Sequence, residues 1–329
     1  MLKLWLKRGF IAILIITLPF VGYKAMRFIP DQMIKQRYEI TVVIKSMEPS
    51  MEFWQVLVDG VQVAAKEFDV DVTVTGPPNE SEIDEQIRLI EEAIEARPDA
   101  IVMAATDYNR LVPIALAAKK KGISVITIDS GMNSDVADSF IATDNFEAGR
   151  KAGKAMADQL DANAKVAIIS FVQGTATQID REGGVLDSLM EAGITVVGTY
   201  YSDGVEEKAY QITSELSEKH HDLRGIIGLN ETSTVGAGKA IRDLGLAGQI
   251  QLIGFDSSID EVKLLEEGVM QATIVQKPFN MGYLGVKTAV EALRNEHIPD
   301  RIDTGSVMIT KENMYVDENQ KLLFPFVEK

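Results

Sequence analysis

Two carboxylates stand out among the residues of this chain that could do chemistry. The stretches SVITIDSG (residues 124–131) and QLIGFDSS (residues 251–258) each climb through apolar residues and stop on an acid, Asp129 in the first and Asp256 in the second. A carboxylate that ends a run destined for a core needs partners, because nothing else replaces its lost hydration. Two such acids across a cleft can divide acid and base work on a glycosidic bond. Without any reaction, they can accept hydrogen bonds from hydroxyl groups. The remaining chemistry is sparse. There is no cysteine, so no disulfide and no lipid-modified cysteine. The only histidines, His220, His221 and His297, show no metal-ligand spacing and read as solvated surface, so no metal and no cofactor is expected. VGAGKA at 235–240 lacks the full spacing of a phosphate loop and falls within a helical stretch, where its glycines suit close helix packing.

The elements that must position the two acids follow from the apolar pattern. From Tyr38 onward, YEITVVIK, DVTVT, DAIVMAA, ISVITID, KVAIIS, ITVVGTY, RGIIGL and IQLIGFD read as strands, nearly continuous in apolar residues as parallel sheets buried on both faces require. Helical spacing lies between them: Ile83, Ile87, Ile90 and Ile94 share one face, with Ser81 placed as the N-cap. Alternation at this spacing means βαβ units, four strands before about residue 144 and four after it, hence an α/β chain of two doubly wound parallel-sheet lobes. Asp129 and Asp256 end the fourth strand of each set. Ligands of open parallel sheets bind beyond the carboxyl ends of strands, so both acids belong to one cleft if the sheets face each other. A helix over about 259–267, a strand MQATIVQ, a helix from Pro278 to about Arg294 and an extended GSVMIT follow.

Length and charge exclude some classes of function. At 329 residues and 46% hydrophobic content the chain can bury a large core. Residues 1–37 differ from the rest: Lys3, Lys7 and Arg8 precede the apolar run GFIAILIITLPFVGY, then Lys24 and Arg27. That is the form of an export signal. No small-x-small site follows it, so an uncleaved, membrane-anchoring hydrophobic helix is expected, with the body on the outer face of the cytoplasmic membrane; the run is short for a span and Pro19 interrupts it, so cleavage and a secreted body are the alternative. Residues 38–329 carry 26 basic against 48 acidic residues, a net charge near −22, which repels phosphate backbones and argues against nucleic acid.

With these marks assembled, the chain resembles the type I solute-binding proteins, the ribose- and galactose-binding group of periplasmic binding proteins. The resemblance covers roughly residues 38–310 and is carried by FWQVLVDGVQVAAKEF, RPDAIVMAATD, GISVITID, FIATDN, IDREGG, GIIGLNE, LIGFD and ATIVQKP. It implies lobes joined by a three-crossing hinge, the first of residues 38–144 plus 277–306 and the second of 145–276 plus 307–329. It also implies closure on a small sugar or polyol by a monomer, with an ABC permease or a sensor histidine kinase as partner. Carried over position by position, the family's ligand contacts fall on Phe53, Trp54, Asp129, Arg181, Asn230, Asp256 and Gln276. The residue types suit that role, since Asp, Asn, Gln and Arg present paired acceptors or donors to adjacent hydroxyls. Each has a plainer alternative: Phe53 and Trp54 as helix core, Arg181 in an ion pair with Asp180 or Glu182, Asn230 as a helix cap, Gln276 as a loop residue.

The chain departs from the ribose-binding pattern at PSME (residues 49–52), at Ser130 where an arginine is common, and at Gly204 where an aromatic is common. What remains implied is a sugar or sugar-like polyol rather than ribose. Two other classes of function compete. A sugar-responsive repressor core of the lactose-repressor type would need an N-terminal helix-turn-helix and a basic face. A glycosidase would use Asp129 and Asp256 as its acid and base.

Overall fold

The computed structural model describes residues 37–324. The expected signal or anchor segment lies, apart from Arg37, outside the described residues; among the described residues no helix is long and apolar enough to cross a membrane. Strands β1 (Glu39–Val43), β2 (Asp71–Thr75), β3 (Ala100–Met103), β4 (Ser124–Ile128), β5 (Ser139–Ala142) and β11 (Arg301–Asp303) form one sheet in the order β11-β5-β4-β3-β1-β2. Strands β6 (Lys165–Ser170), β7 (Thr195–Tyr201), β8 (Leu223–Gly228), β9 (Gln251–Phe255), β10 (Ala272–Val275) and β12 (Val307–Thr310) form the other, in the order β12-β10-β9-β8-β6-β7. Ladder pairings are parallel except at the edge, where β12 runs antiparallel to β10. Two doubly wound α/β lobes are thus present, as expected.

The central strands of each sheet are buried on both faces, which explains the continuous apolar runs, while the edge strands β2 and β7 are partly exposed. Successive strand residues point to opposite faces. Val42 and Val102 pack with Trp54, Leu57 and Val61 of α1 (Glu52–Phe68). Their neighbours Val43, Ile101 and Met103 pack with Ile90 and Ile94 of α2 (Ile83–Ala96) and with Ala115 and Ala118 of α3 (Val112–Lys120). In the second sheet, Val166, Ile168 and Ile253 face α4 (Asn145–Ala157) and α5 (Ala176–Glu191). Ala167, Ile226 and Leu252 face α6 (Glu206–Lys219), α7 (Glu231–Asp243) and α8 (Ile259–Glu267). The VGAGKA stretch lies inside α7, and a Cβ on Gly236 would come within 2.3 Å of the Glu206 carbonyl, so close helix packing accounts for it.

One local expectation is corrected. Ser81 does not cap α2: the helix begins at Ile83 with Glu82 at the N-cap, and the Ser81 hydroxyl donates to Asn79 Oδ1 at 2.6 Å. The loop's own Asn side chain offers Ser81 a nearer acceptor than the helix does.

The chain crosses between sheets three times, after β5, after β10 and after β11. The crossings are tied together by polar contacts: Asp303 Oδ1 accepts from the N–H groups of Asp144 and Gly305, and Lys151 Nζ donates to the Ser306 carbonyl at 3.0 Å. After the second crossing, α9 (Pro278–Leu293) starts on proline and returns to α1. The two helices touch backbone to backbone, since a Cβ on Gly282 would fall 2.0 Å from the Leu57 carbonyl oxygen. Helix α10 (Asp317–Leu323) follows β12 and buries Leu323 in the second lobe.

Candidate functional site

Strand ends supply the site. Asp129 follows β4, Phe171 follows β6, Asp256 follows β9 and Gln276 follows β10 by one residue; Lys45 and Asn230 follow β1 and β8 by two. All line one cavity, whose space of about 310 Å³ includes its opening to solvent. The two acids reach it by the same backbone device. The N–H of Asp129 still bonds the Ile141 carbonyl of β5, and that of Asp256 the Ile274 carbonyl of β10. Each residue then turns into the left-handed region, φ 57° and 78°, ending the strand. Aspartate tolerates that conformation better than most residues because its short polar side chain bonds locally.

The wall from the first lobe is an ion pair under an aromatic corner. Lys45 Nζ lies 2.9 Å from Asp129 Oδ2 and 5.5 Å from the Trp54 ring centroid. Phe53 and Trp54 meet edge to face with centroids 5.0 Å apart, and Trp54 Nε1 donates to Glu80 Oε1 at 3.0 Å. Gly204 stands where a family aromatic is common. A Cβ there would sit 3.9 Å from the Glu80 Cβ, so Glu80 borders the space such a ring would take.

The wall from the second lobe is built around Arg181 and Asp256. Helices α4 and α5 pack closely at Gly149, where a Cβ would meet the Arg181 carbonyl oxygen at 2.3 Å. This approach lets Arg181 Nε donate to Asn145 Oδ1 at 2.8 Å and Nη1 to the Leu229 carbonyl at 2.7 Å. Its guanidinium carbon stands 4.5 Å from the Phe255 ring centroid, a cation–π contact. Asp256 accepts from Gln276 Nε2 at 2.7 Å and from the Glu231 N–H at 3.1 Å.

The seven residues expected from the sequence therefore all border one cavity. The plainer alternatives resolve one by one. Trp54 belongs to the core cluster and also lines the cavity, with Phe53 packed against that cluster. Asn230 does cap α7, accepting from the Ser233 N–H at 3.0 Å, while its side chain borders the cavity. Arg181 is buried rather than paired on the surface, and Glu182 instead accepts from Gln178, Thr199 and Tyr201.

The site also holds three charged residues, Lys45, Glu80 and Glu231, outside the seven expected from the sequence. Lys45 was visible to the rule that picked out Asp129, since it too ends an apolar run. Glu231 adjoins Asn230 in the same motif. Glu80 had no signal, because it comes from a loop and its burial is fixed by Trp54. Burial raises the pKa of Glu80 and of Asp256, and burial followed by the Asp256 charge pushes Glu231 up to about 8. Burial alone would lower the Lys45 ammonium, but Asp129 and Glu80 outweigh it and hold it above its usual range. Glu80 Oε2 and Gln276 Oε1 are buried and lack a protein partner. Both accept hydrogen bonds, so the cavity suits a ligand rich in donors.

The profile described as "Periplasmic binding protein domain" matches residues 40–297. The D-ribose/D-allose-binding protein of Pseudomonas aeruginosa is 29% identical over 270 residues, covering 79% of this chain and 84% of that protein. The crystal structure of an ABC transporter solute binding protein from Agrobacterium vitis with bound D-fucose superposes with a TM-score of 0.84 at 35% identity, covering 87% of this chain and 99% of that one. A sugar transporter from Clostridium phytofermentans gives 0.79 at 39% identity over 84% of this chain and 100% of the other.

Proposed function

The chain belongs to the periplasmic binding protein domain family, and from that premise we propose that it is an extracytoplasmic receptor that closes its two lobes on a monosaccharide or polyol without chemistry. The observation that carries this reading is the convergence of polar side chains from both lobes on one cavity: Lys45, Glu80 and Asp129 from the first, Arg181, Asn230, Asp256 and Gln276 from the second. Hydroxyl groups satisfy the free acceptors Glu80 Oε2 and Gln276 Oε1, and the Phe53–Trp54 corner covers an apolar sugar face. The relatives' names speak of ribose, allose and fucose, in keeping with such a ligand. Closure is favoured by as much as the ligand prefers the closed state.

The lobes act as rigid bodies over residues 38–144 plus 277–306 and 145–276 plus 307–329, and residues 1–37 tether them to the outer face of the membrane. The receptor then delivers its ligand to an ABC permease or reports it to a sensor histidine kinase. Against a glycosidase stands the use already made of both acids: Asp129 is paired with Lys45, and Asp256 holds Gln276 and the α7 N-terminus. Mass spectrometry of protein purified without denaturation tests the reading. A copurified sugar or polyol is expected; sustained turnover of a glycoside, abolished by Asp256→Asn, would replace it with an enzyme.

A further inference from the structure

Three helix N-termini meet where the lobes touch, that of α1 from the first and those of α7 and α8 from the second. Helix α1 has no side-chain cap of its own, because its N-cap residue is Met51. Its first donors are taken instead by the carboxylate of Glu231, the first residue of α7: the Glu52 N–H donates to Oε1 and the Phe53 N–H to Oε2, each at 3.2 Å. The contact is returned, since Glu52 Oε1 accepts the N–H of Ile259, the first residue of α8, at 3.2 Å. A carboxylate at a helix N-terminus satisfies orphan donors and meets the positive end of the helix dipole.

We propose that Glu231 and Glu52 form a reciprocal latch between the lobes, each acid capping a helix of the opposite lobe, and that Glu231 thereby positions the Phe53–Trp54 corner over the cavity. The proposal rests on the reading of the protein as a receptor that closes. Glu231 follows Asn230, so the residue that turns the chain into α7 and the residue that reaches across the cleft are adjacent. Phe53 receives the latch through its N–H and presents its ring to the cavity, so closure and the shaping of the ligand wall are one event.

The groups facing Glu231 make the latch sensitive to pH. Asp256 from the end of β9, Glu261 from α8 and Glu52 from α1 surround it with acids, and Lys45 and Arg181 line the same cavity. Burial and Asp256 push Glu231 up to about 8 in the closed arrangement, against an ordinary value of 4.5 when hydrated. Closing therefore takes up a proton between those limits. The latch tightens as pH falls from about 8 toward 4.5 and loosens as it rises.

The test needs no sugar. With no native cysteine, Glu91→Cys in α2 and Glu218→Cys in α6 give a unique pair of exposed sites for spin labels on the full chain, one on each lobe. The expected result is a short interlobe distance whose population grows as pH is lowered from 9 to 5. Glu231→Ala should deplete it at every pH. Glu231→Asp, one methylene shorter, should do the same while keeping the charge. Glu231→Gln keeps one acceptor oxygen and the side-chain size, so it should retain part of the short-distance population, with a weaker pH dependence left to the neighbouring Asp256 and Glu80. An absent short population in the wild type, an unchanged distribution in Glu231→Ala, or a wild-type pH profile in Glu231→Gln would each overturn the latch. Should Glu231→Ala fail to fold, the near-isosteric Gln variant decides. A sugar panel that fails would sink the receptor and leave these distances standing, whereas a failed latch leaves sugar binding intact.

Discussion

Lys45 Nζ and Asp129 Oδ2 lie 2.9 Å apart with both side chains removed from water, so the wall from the first lobe is founded on a buried ion pair. Removing one partner strands the other charge, which costs about 3–5 kcal/mol. Asp129→Asn and Lys45→Met are each expected to destabilise the protein by that order. The double variant should cost clearly less than the sum of the two. Urea denaturation of the three variants checks this, and strict additivity would mean that the pair is not coupled.

Asp256 and Arg181 organise the wall from the second lobe through bonds to Gln276, Asn145 and the Leu229 carbonyl. Asp256→Ala and Arg181→Ala should each weaken sugar binding by about 2 kcal/mol or more, roughly thirtyfold, the usual cost of leaving buried polar partners unpaired. Titration calorimetry with a bound sugar measures it. Undiminished affinity in both variants would show that the site lies elsewhere.

Glu261 supplies a pH prediction of its own. It is fully buried in the capping box of α8, where its side chain accepts from the Ser258 N–H and hydroxyl, and its Oε1 has no partner. Burial, then the Glu231 and Asp256 charges, raise its pKa well above 4.5. An acid whose folded pKa is raised contributes stability fully present below its unfolded pKa and lost as pH rises through the folded one. Glutamine serves a capping box equally well. Glu261→Gln should therefore raise the melting temperature at pH 8 and leave it almost unchanged at pH 4. The same gain at both pH values would contradict a charge penalty.

Gly149 sets the approach of α4 to α5. A Cβ there meets the Arg181 carbonyl oxygen at 2.3 Å, so Gly149→Ala should part the helices and cost about 1–3 kcal/mol, as overpacking does. Because Arg181 rides on that contact, ligand affinity should fall together with stability. Thermal melts and titrations of one variant read both effects, and a stability loss without an affinity loss would separate the helix pair from the site.

How far the chain could be read in advance follows from the physics of each part. Parallel strands buried on both faces leave long apolar runs, so most of both sheets was legible. β5 and β11 were not: they span four and three residues, and β11 is an edge strand of polar composition, Arg301–Asp303. Asp129 and Asp256 could be found because an acid ending an apolar strand is anomalous by itself, and Lys45 obeys the same rule. Glu80 is different in kind. It is buried by a contact with Trp54 that no periodicity encodes, being 26 residues away in sequence. The latch between Glu231 and α1 spans 178 residues and exists only when the two lobes meet.

The most direct test of the account is a thermal-shift panel of neutral monosaccharides and polyols on the full chain, repeated on Asp256→Ala. At least one sugar should raise the melting temperature of the wild type, increasingly with concentration, and the variant should lose the shift at the same concentration. A broad panel that leaves the wild type unmoved, or a shift that Asp256→Ala retains in full, would contradict it.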